Sequence, residues 1–531
     1  MNHVKGVGGG AAVIEALRAN GVRTVFGIPG THNLEFYRYL PESGINHVLC
    51  RHEQGAAYAA DGYARSGAGV AAIVVTSGPG LLNAATGIAN AYADRVPILV
   101  LTPIIDRGRQ RRDVGWMHEV KDQRAALDAI AAWSESAADP HDAANLVNRA
   151  FTEWRAGESR PVVIHVPHDV LVDRTPAARI SPLPTPMPSV PTRDVVSEVH
   201  RLLLGAENPL VIVGGGCVRG YQEVRTFLEV LGAPVVTTVR GKGVLPDGHP
   251  LLVGLGIGTR AMRSEIAAAD VVLLMGTELS ESELADEPLE FTGHVIRVDR
   301  ELKQLHKGAR ATFPVLSDAG AFAVAMQTEM QWNAPDASRI ERMRSSLRRE
   351  VDESSAPFTT LFRALRSALP ETSLIVGDSS QVSYMGSSRL WDADKPDRVL
   401  GTFGFATLGY GLPAAIGAAI GNPETTVACV LGDGALMFSV QELATAVEQR
   451  LSIPVVVYDN SGFEEIREQM TSREIEHLGV DIDQPDFSAL GVALGCAAAS
   501  PSTSRELIDA VRESLTAGRP TVIHVKADDF R

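Results

Sequence analysis

Stretches with apolar positions at helical spacing alternate with short, β-branched, almost wholly apolar runs along most of the chain. Residues 11–20 read as an amphipathic helix that Gly21 ends, and residues 24–27 as the strand that follows. Residues 70–75 and 97–101 are apolar at every position, as in strands of a parallel sheet covered on both faces. The same step returns near the end, with strands predicted at 426–431 and 454–458 around a helix at 441–450.

An internal echo bears on the domain count. Arg160-Pro161-Val162-Val163-Ile164-His165-Val166 follows a helical stretch at 144–156, and Arg519-Pro520-Thr521-Val522-Ile523-His524-Val525 follows another at 506–517. The repeat suggests two similar α/β domains, and it makes His165 and His524 strand residues rather than catalysts. Between them, Pro182, Pro184, Pro186, Pro188 and Pro191 mark an extended linker over 181–191. Strands predicted at 209–213, 235–239, 271–275 and 295–298 form a middle domain, and the charged segment 336–353 forms a helical connector. The expected fold is α/β: three doubly wound parallel-sheet domains at residues 1–175, 192–330 and 355–531. A length of 531 residues agrees, at roughly 150 residues per domain.

A net charge of −15 excludes the basic field that collects nucleic acid. Cys50, Cys217, Cys429 and Cys496 share no C-x-x-C spacing, so neither a zinc site nor a disulfide framework is indicated, and a reducing cytoplasm is expected. Residues 1–10 lack the apolar core of a signal peptide. The uncharged stretches 66–93 and 399–423 are interrupted by glycines, prolines and polar residues, which points to buried core rather than membrane spans.

The strongest chemical signal is Gly432-Asp433-Gly434 after one predicted strand and Asp459-Asn460 at the end of the next. One βαβ unit brings both to the carboxyl edge of a parallel sheet, where ligands bind. Magnesium takes hard oxygen ligands and shares them with phosphates, so Asp433, Asn460 and the carbonyl of Gly462 form a candidate site, with Gly434 admitting a diphosphate close to the backbone. The competing reading is a structural Asp-Gly turn beside an unrelated Asn.

This block resembles the diphosphate-binding motif of the thiamine-diphosphate (ThDP) enzymes related to acetolactate synthase, benzoylformate decarboxylase and benzaldehyde lyase. Four further blocks match in order: Val25 to Gly30, Arg51-His52-Glu53-Gln54-Gly55, Thr76-Ser77-Gly78-Pro79-Gly80-Leu81-Leu82-Asn83, and Gly409-Tyr410-Gly411-Leu412-Pro413. The resemblance makes the three domains pyrimidine-binding, middle and diphosphate-binding. It implies that Glu53 activates the cofactor, that the Ala406 carbonyl accepts from its 4′-amino group, and that Leu408 props its bent shape. Gly30 and Thr76 fall in the pyrimidine loops. Asn83, Ser380, Gln381, Ala435 and Phe463 join Asp433, Gly434 and Asn460 around the diphosphate. Family sites lie between subunits, which implies a homodimer or homotetramer. Gly214-Gly215-Gly216 lacks the third glycine of a dinucleotide fingerprint, and the flavin-associated Arg-Phe-Asp-Asp pattern is absent, so FAD is not expected.

His32 and Thr31 fall where benzaldehyde lyase and benzoylformate decarboxylase carry an active-site histidine and serine, and His118 where acetolactate synthases carry glutamine. Either histidine could relay a proton or serve as a structural hydrogen-bonder. Glu465 and Ile466 fall on the substrate pocket. A buried glutamate needs a cation, so Glu465 points to a basic substrate tail. Alternatively, it is a first-turn residue facing solvent. Glu-Ile-Arg, Asp-Ser-Ser-Gln and Met-His-Glu also resemble the 2-ketoarginine decarboxylases, although Glu464 stands where those carry glycine. The leading expectation is a 2-oxo acid decarboxylase. A carboligase, in which the acyl carbon meets a second carbonyl instead of a proton, is the alternative, and a non-catalytic regulatory subunit of the same fold is a third reading.

Overall fold

The computed structural model describes residues 7–157, 159–175, 180–284, 287–328, 332 and 334–530. They form three six-stranded sheets and a two-stranded antiparallel ribbon joining Val7–Gly8 to Arg174–Thr175. The first sheet runs, across its width, Asn46–Leu49, Thr24–Gly27, Ala72–Val74, Leu99–Ile104, Val162–Pro167 and Trp133–Ser136. All its pairs are parallel. Its strands bury both faces: Ala72, Val74, Leu99, Leu101, Val162 and Ile164 join one core cluster, while Ile73, Val100 and Val163 join the other. The uninterrupted apolar runs in the sequence reflect this double covering.

The last sheet runs Val399–Leu400, Leu374–Val376, Val427–Gly432, Pro454–Asp459, Thr521–Lys526 and Ala497–Ala499. Numbered within each domain, both sheets have the order 2-1-3-4-6-5. The two echoed heptapeptides occupy the same place in it, which is the physical basis of the repeat. The middle sheet runs Leu252–Leu255, Val235–Thr237, Pro209–Val213, Val271–Met275, His294–Asp299 and Phe313–Leu316. Its order, 3-2-1-4-5-6, is that of dinucleotide-binding folds. A side chain at Gly214 or Gly216 would strike the backbone at Gly276, so these glycines allow two loops to touch.

The described residues divide into two compact units. One comprises those of Met1–Pro186, Ser367–Ser383 and Leu400–Phe530; the other those of Met187–Arg366 and Tyr384–Val399. Within the first, helix Glu53–Tyr63 crosses helix Gly411–Gly421. A Cβ at Gly417 would run into the Ala59 carbonyl, and one at Gly62 into the Ala414 carbonyl. No described helix is long and apolar enough to cross a membrane.

Candidate active site

Glu53 is the first residue of its helix, and His52 caps that helix by accepting from the Gln54 N–H at 3.1 Å. Buried at the domain surface, Glu53 receives the Asn83 amide at 3.0 Å. Asn83 thus meets the glutamate, not the diphosphate-end residues with which the sequence reading grouped it. A Cβ at Gly80 would stand 2.9 Å from a Glu53 carboxylate oxygen, so Gly80 leaves the glutamate its space. Gly30 packs against Thr76, whose buried Oγ1 has no hydrogen-bond partner among the described residues, while Thr31 is exposed.

His32 is buried, with Nδ1 2.8 Å from Ser77 Oγ and its ring stacked on Trp116 at 4.1 Å. His118 lies edge-on to it at 4.9 Å and His168 at 6.3 Å. Burial, then the His118 and His168 charges, hold His32 below the ordinary imidazole value, so it is neutral at pH 7. His118 sits at φ +66°, a conformation rare outside glycine, and its buried Nδ1 has no partner among the described residues. It lines a cavity of about 210 Å³ together with Trp116, Gln123 and Ser136. His165 has a different environment. It is fully buried, held by Gln123 and Ser134, and pushed by burial down to about 3, as befits a structural strand residue.

On the last sheet, Asp433 starts a short helix directly after its strand. Its Oδ1 accepts from Gly434 N–H at 2.7 Å, and its Oδ2 from Gly462 N–H at 3.1 Å and Gln484 Nε2 at 2.9 Å. Burial, and further the neighbouring Asp459, push Asp433 up. Burial acts on Asp459 too, but His524 at 2.8 Å and the Ser461 amide outweigh it and hold that carboxyl low. Asn460 Oδ1 and Gln484 Oε1 are buried without a partner among the described residues. Gly462 has φ +154°, and a side chain there would strike the Val480 carbonyl. The bare face of Gly434 lies under the Phe463 ring, 2.7 Å from where a Cβ would stand, so the glycine makes room for this ring. Ala435 is buried beside it.

Ser380 packs against Gly432 and contacts Ser383 Oγ at 3.1 Å. The Gln381 amide donates to Glu465 at 3.2 Å and to Glu468 at 2.5 Å, so its side chain belongs with the acidic helix Glu464–Ser472. Glu465 is half-buried and Ile466 exposed. Glu464 pairs with Arg467, which also grips Asp481 at 2.8 Å. Asp378 is fully buried and accepts from the Ser379, Gly409 and Gly411 amides, tying its loop to that of Ala406 and Leu408; burial raises it to about 6. Ala406 is exposed at φ +53°, and Leu408 is half-buried. Thr407 Oγ1, between them, is 2.7 Å from Tyr58 on the Glu53 helix.

Glu442, which no motif reading singled out, is buried and accepts from Arg51 N–H, His52 N–H and Thr445 Oγ1. It anchors the turn leading to Glu53. Among the described residues, no hydrogen bond joins Glu53, His32 or His118 to Asp433, Asn460 or Gln381. One chain therefore carries two clusters: a glutamate with histidines, and a set of oxygen donors with a glycine-bordered turn.

A paired-domain α/β chain of this kind matches the thiamine pyrophosphate enzymes in three segments, one in each domain. Residues 7–126 match their N-terminal TPP binding domain, 196–326 their central domain and 381–525 their C-terminal TPP binding domain. The chain belongs to this family of ThDP enzymes. Among similar proteins, one named a probable 2-ketoarginine decarboxylase, from Pseudomonas aeruginosa, is 36% identical over 99% of this chain and 95% of its own length. The acetolactate synthase isozyme 2 large subunit of Escherichia coli is 28% identical over 98% of this chain and 95% of its own. A probable acetolactate synthase large subunit from Methanocaldococcus jannaschii is 28% identical over 98% and 92%.

Proposed function

We propose that this chain is a magnesium-dependent decarboxylase that converts a 2-oxo acid to carbon dioxide and an aldehyde, and that its substrate ends in a guanidinium, as 2-ketoarginine does. Glu465 carries the reading. It is half-buried, its oxygens meet only the neutral amides of Gln381 and Gln469, and it has no cationic partner among the described residues. Gln381 also serves Glu468, so two carboxylates converge on one amide. A planar guanidinium presents several donors to such a pair. Glu464, neutralised by Arg467, takes the surface role instead. The name of the 36% identical relative supports the same substrate class.

ThDP, when bound, supplies the electron sink for loss of carbon dioxide. Asp433, Asn460 and the Gly462 carbonyl would hold Mg²⁺; the unpartnered Asn460 Oδ1 fits a hard cation. Ser380, Gly434, Ala435 and Phe463 would border the diphosphate. Glu53, oriented by Asn83, would exchange a proton with the cofactor's aminopyrimidine, whose amino group the Ala406 carbonyl would accept, with Leu408 beneath the rings. Neutral His32, in contact with Ser77, can take and return a proton near pH 7, with His118 and Thr31 beside it. Leu82, Phe405 and Phe438 are exposed next to Asn83, Ala406 and the Asp433 helix, which supports completion of the site by a second copy in a homodimer or homotetramer. Four buried, unpaired cysteines suit a reducing cytoplasm.

A panel of 2-oxo acids, incubated with enzyme, ThDP and Mg²⁺, tests the reading through carbon dioxide release and product identity. E465Q should raise KM for 2-ketoarginine by about 10-fold or more, the worth of a charge-assisted hydrogen bond, and leave KM for 2-oxopentanoate nearly unchanged. Equal effects on both would dispose of the basic-tail assignment. The acetolactate synthase relatives favour carboligation as the second reading. A coupled product instead of an aldehyde would establish it.

A further inference from the structure

Gln484 lies outside every matched motif block, yet it reaches the centre of the diphosphate cluster. The chain brings it there by a clip. Phe463 N–H donates to the Val480 carbonyl at 2.9 Å and Ile482 N–H to the Ser461 carbonyl at 3.1 Å, so Gly462 pairs antiparallel with Asp481. Arg467 locks the clip through Asp481. On the other side Pro485 stiffens the exit, and Asp486 caps helix Phe487–Ala493 by accepting from Ala489 N–H at 3.0 Å. Gln484 is thus fixed from both directions.

Resting on the proposal that Asp433 and Asn460 hold Mg²⁺, we infer that Gln484 is a positioning residue of the metal centre: its amide nitrogen orients the Asp433 carboxylate, and its amide oxygen receives a water carried by the ion. A carboxylate offers about four acceptor directions. Gly434 N–H takes one on Oδ1, and Gly462 N–H and Gln484 Nε2 take two on Oδ2. With Asp459 beside it as well, these three donors hold the carboxylate in a single orientation toward a ligand. With its nitrogen committed to Asp433, Gln484 leaves Oε1 buried and, among the described residues, unpartnered in the same cluster as Asn460 Oδ1, which likewise has no partner among them. Magnesium dehydrates reluctantly and keeps waters whose protons need acceptors, and Oε1 is such an acceptor.

The test uses the full chain with saturating ThDP and Mn²⁺ as the probe, free Mn²⁺ being read by its EPR signal. Wild type should take up the ion and D433N should lose it. Removing a partner that orients a metal ligand weakens metal affinity about 10–100-fold. Q484M should therefore raise the Mn²⁺ Kd by that factor. It should raise the Mg²⁺ concentration for half-maximal activity by a larger factor than it lowers kcat. Q484E, which keeps the length but adds a further carboxylate to the Asp433–Asp459 pair, should lower the melting temperature without metal and show a larger Mg²⁺-induced rise than wild type. An unchanged Kd in Q484M, or a wild-type-sized Mg²⁺ shift in Q484E, overturns the role of Gln484 while the metal site stands. Absence of Mn²⁺ uptake by wild type overturns the metal site itself.

Discussion

Glu442 offers a sharp test of how the Glu53 turn is held. Its carboxylate is 1% exposed and accepts from Arg51 N–H at 3.1 Å, His52 N–H at 2.9 Å and Thr445 Oγ1 at 2.6 Å. Glu442→Ala strands the two backbone donors. At about 1–3 kcal/mol for each donor left without an acceptor, the loss is roughly 2–6 kcal/mol. At about 2–4 °C per kcal/mol for a large domain, the thermal midpoint should drop by at least about 4 °C. Glu448→Ala removes the exposed 2.6 Å ion pair to the Arg51 side chain and should cost about 0–1 kcal/mol. Glu442→Gln keeps Oε1 for both backbone donors, and the Thr445 hydroxyl can turn to accept from the new amide, so its loss should stay near 1 kcal/mol. Burial raises the Glu442 carboxyl. A raised carboxyl contributes stability that is complete below the unfolded value of about 4.3 and lost as pH rises through the folded value. Wild type should therefore lose stability relative to Glu442→Gln from about pH 4.3 upward. Thermal unfolding of the full chain across this range, with ThDP affinity as the local reporter, measures both effects. Equal losses in Glu442→Ala and Glu448→Ala, or a Glu442→Gln as damaging as alanine, would refute the reasoning.

Two further outcomes follow from contacts already described. Gly417→Ala forces a methyl into the Ala59 carbonyl at the crossing of helices Glu53–Tyr63 and Gly411–Gly421, and should destabilise by about 3 kcal/mol or more. Ala418→Gly on the same helix should cost only about 1 kcal/mol from helix propensity plus its lost methyl, and calorimetry separates the two. Glu53→Gln should lower kcat at least about 100-fold, whereas Asn83→Ala, which removes one hydrogen bond to a charged group, should lower it about 10–100-fold; stopped-flow carbon dioxide release gives both.

The architecture was legible because parallel strands buried on both faces leave unbroken apolar runs: the observed Pro209–Val213 and Val271–Met275 coincide with the runs read from sequence. The heptapeptide echo pointed to two similar α/β domains, and Val162–Pro167 and Thr521–Lys526 hold the same place in the two outer sheets, with apolar residues buried along both strands. Side-chain partners were less legible. Asn83 was grouped with the diphosphate end, yet it faces Glu53 because helix Pro79–Ala93 carries it there. Gln381 shared a motif with Ser380, but its longer side chain reaches the acidic helix. Gln484 and Glu442 left no signal, for their partners lie 51 and 391 residues away along the chain.

The pattern of satisfied and unsatisfied atoms separates frame from binding surface. Asp378 and Glu442 are buried acids whose oxygens are filled by backbone donors, and each joins two loops of the candidate site. Such groups hold shape and have little left to offer a ligand. Thr76 Oγ1 and His118 Nδ1 on one cluster, and Asn460 Oδ1 and Gln484 Oε1 on the other, are buried without partners among the described residues. A buried polar atom left unpaired costs about 1–3 kcal/mol, and folding tolerates that where binding recovers it. These four divide between a glutamate–histidine cluster and an oxygen-donor cluster. His118 and Ser461, in positive-φ conformations unusual for non-glycine residues, lie in the same loops. Unusual backbone and unmet hydrogen bonds thus fall on the same segments, which is what the proposed function asks of them: one cluster for proton exchange at the ring end of the cofactor, the other for a cation at its charged end.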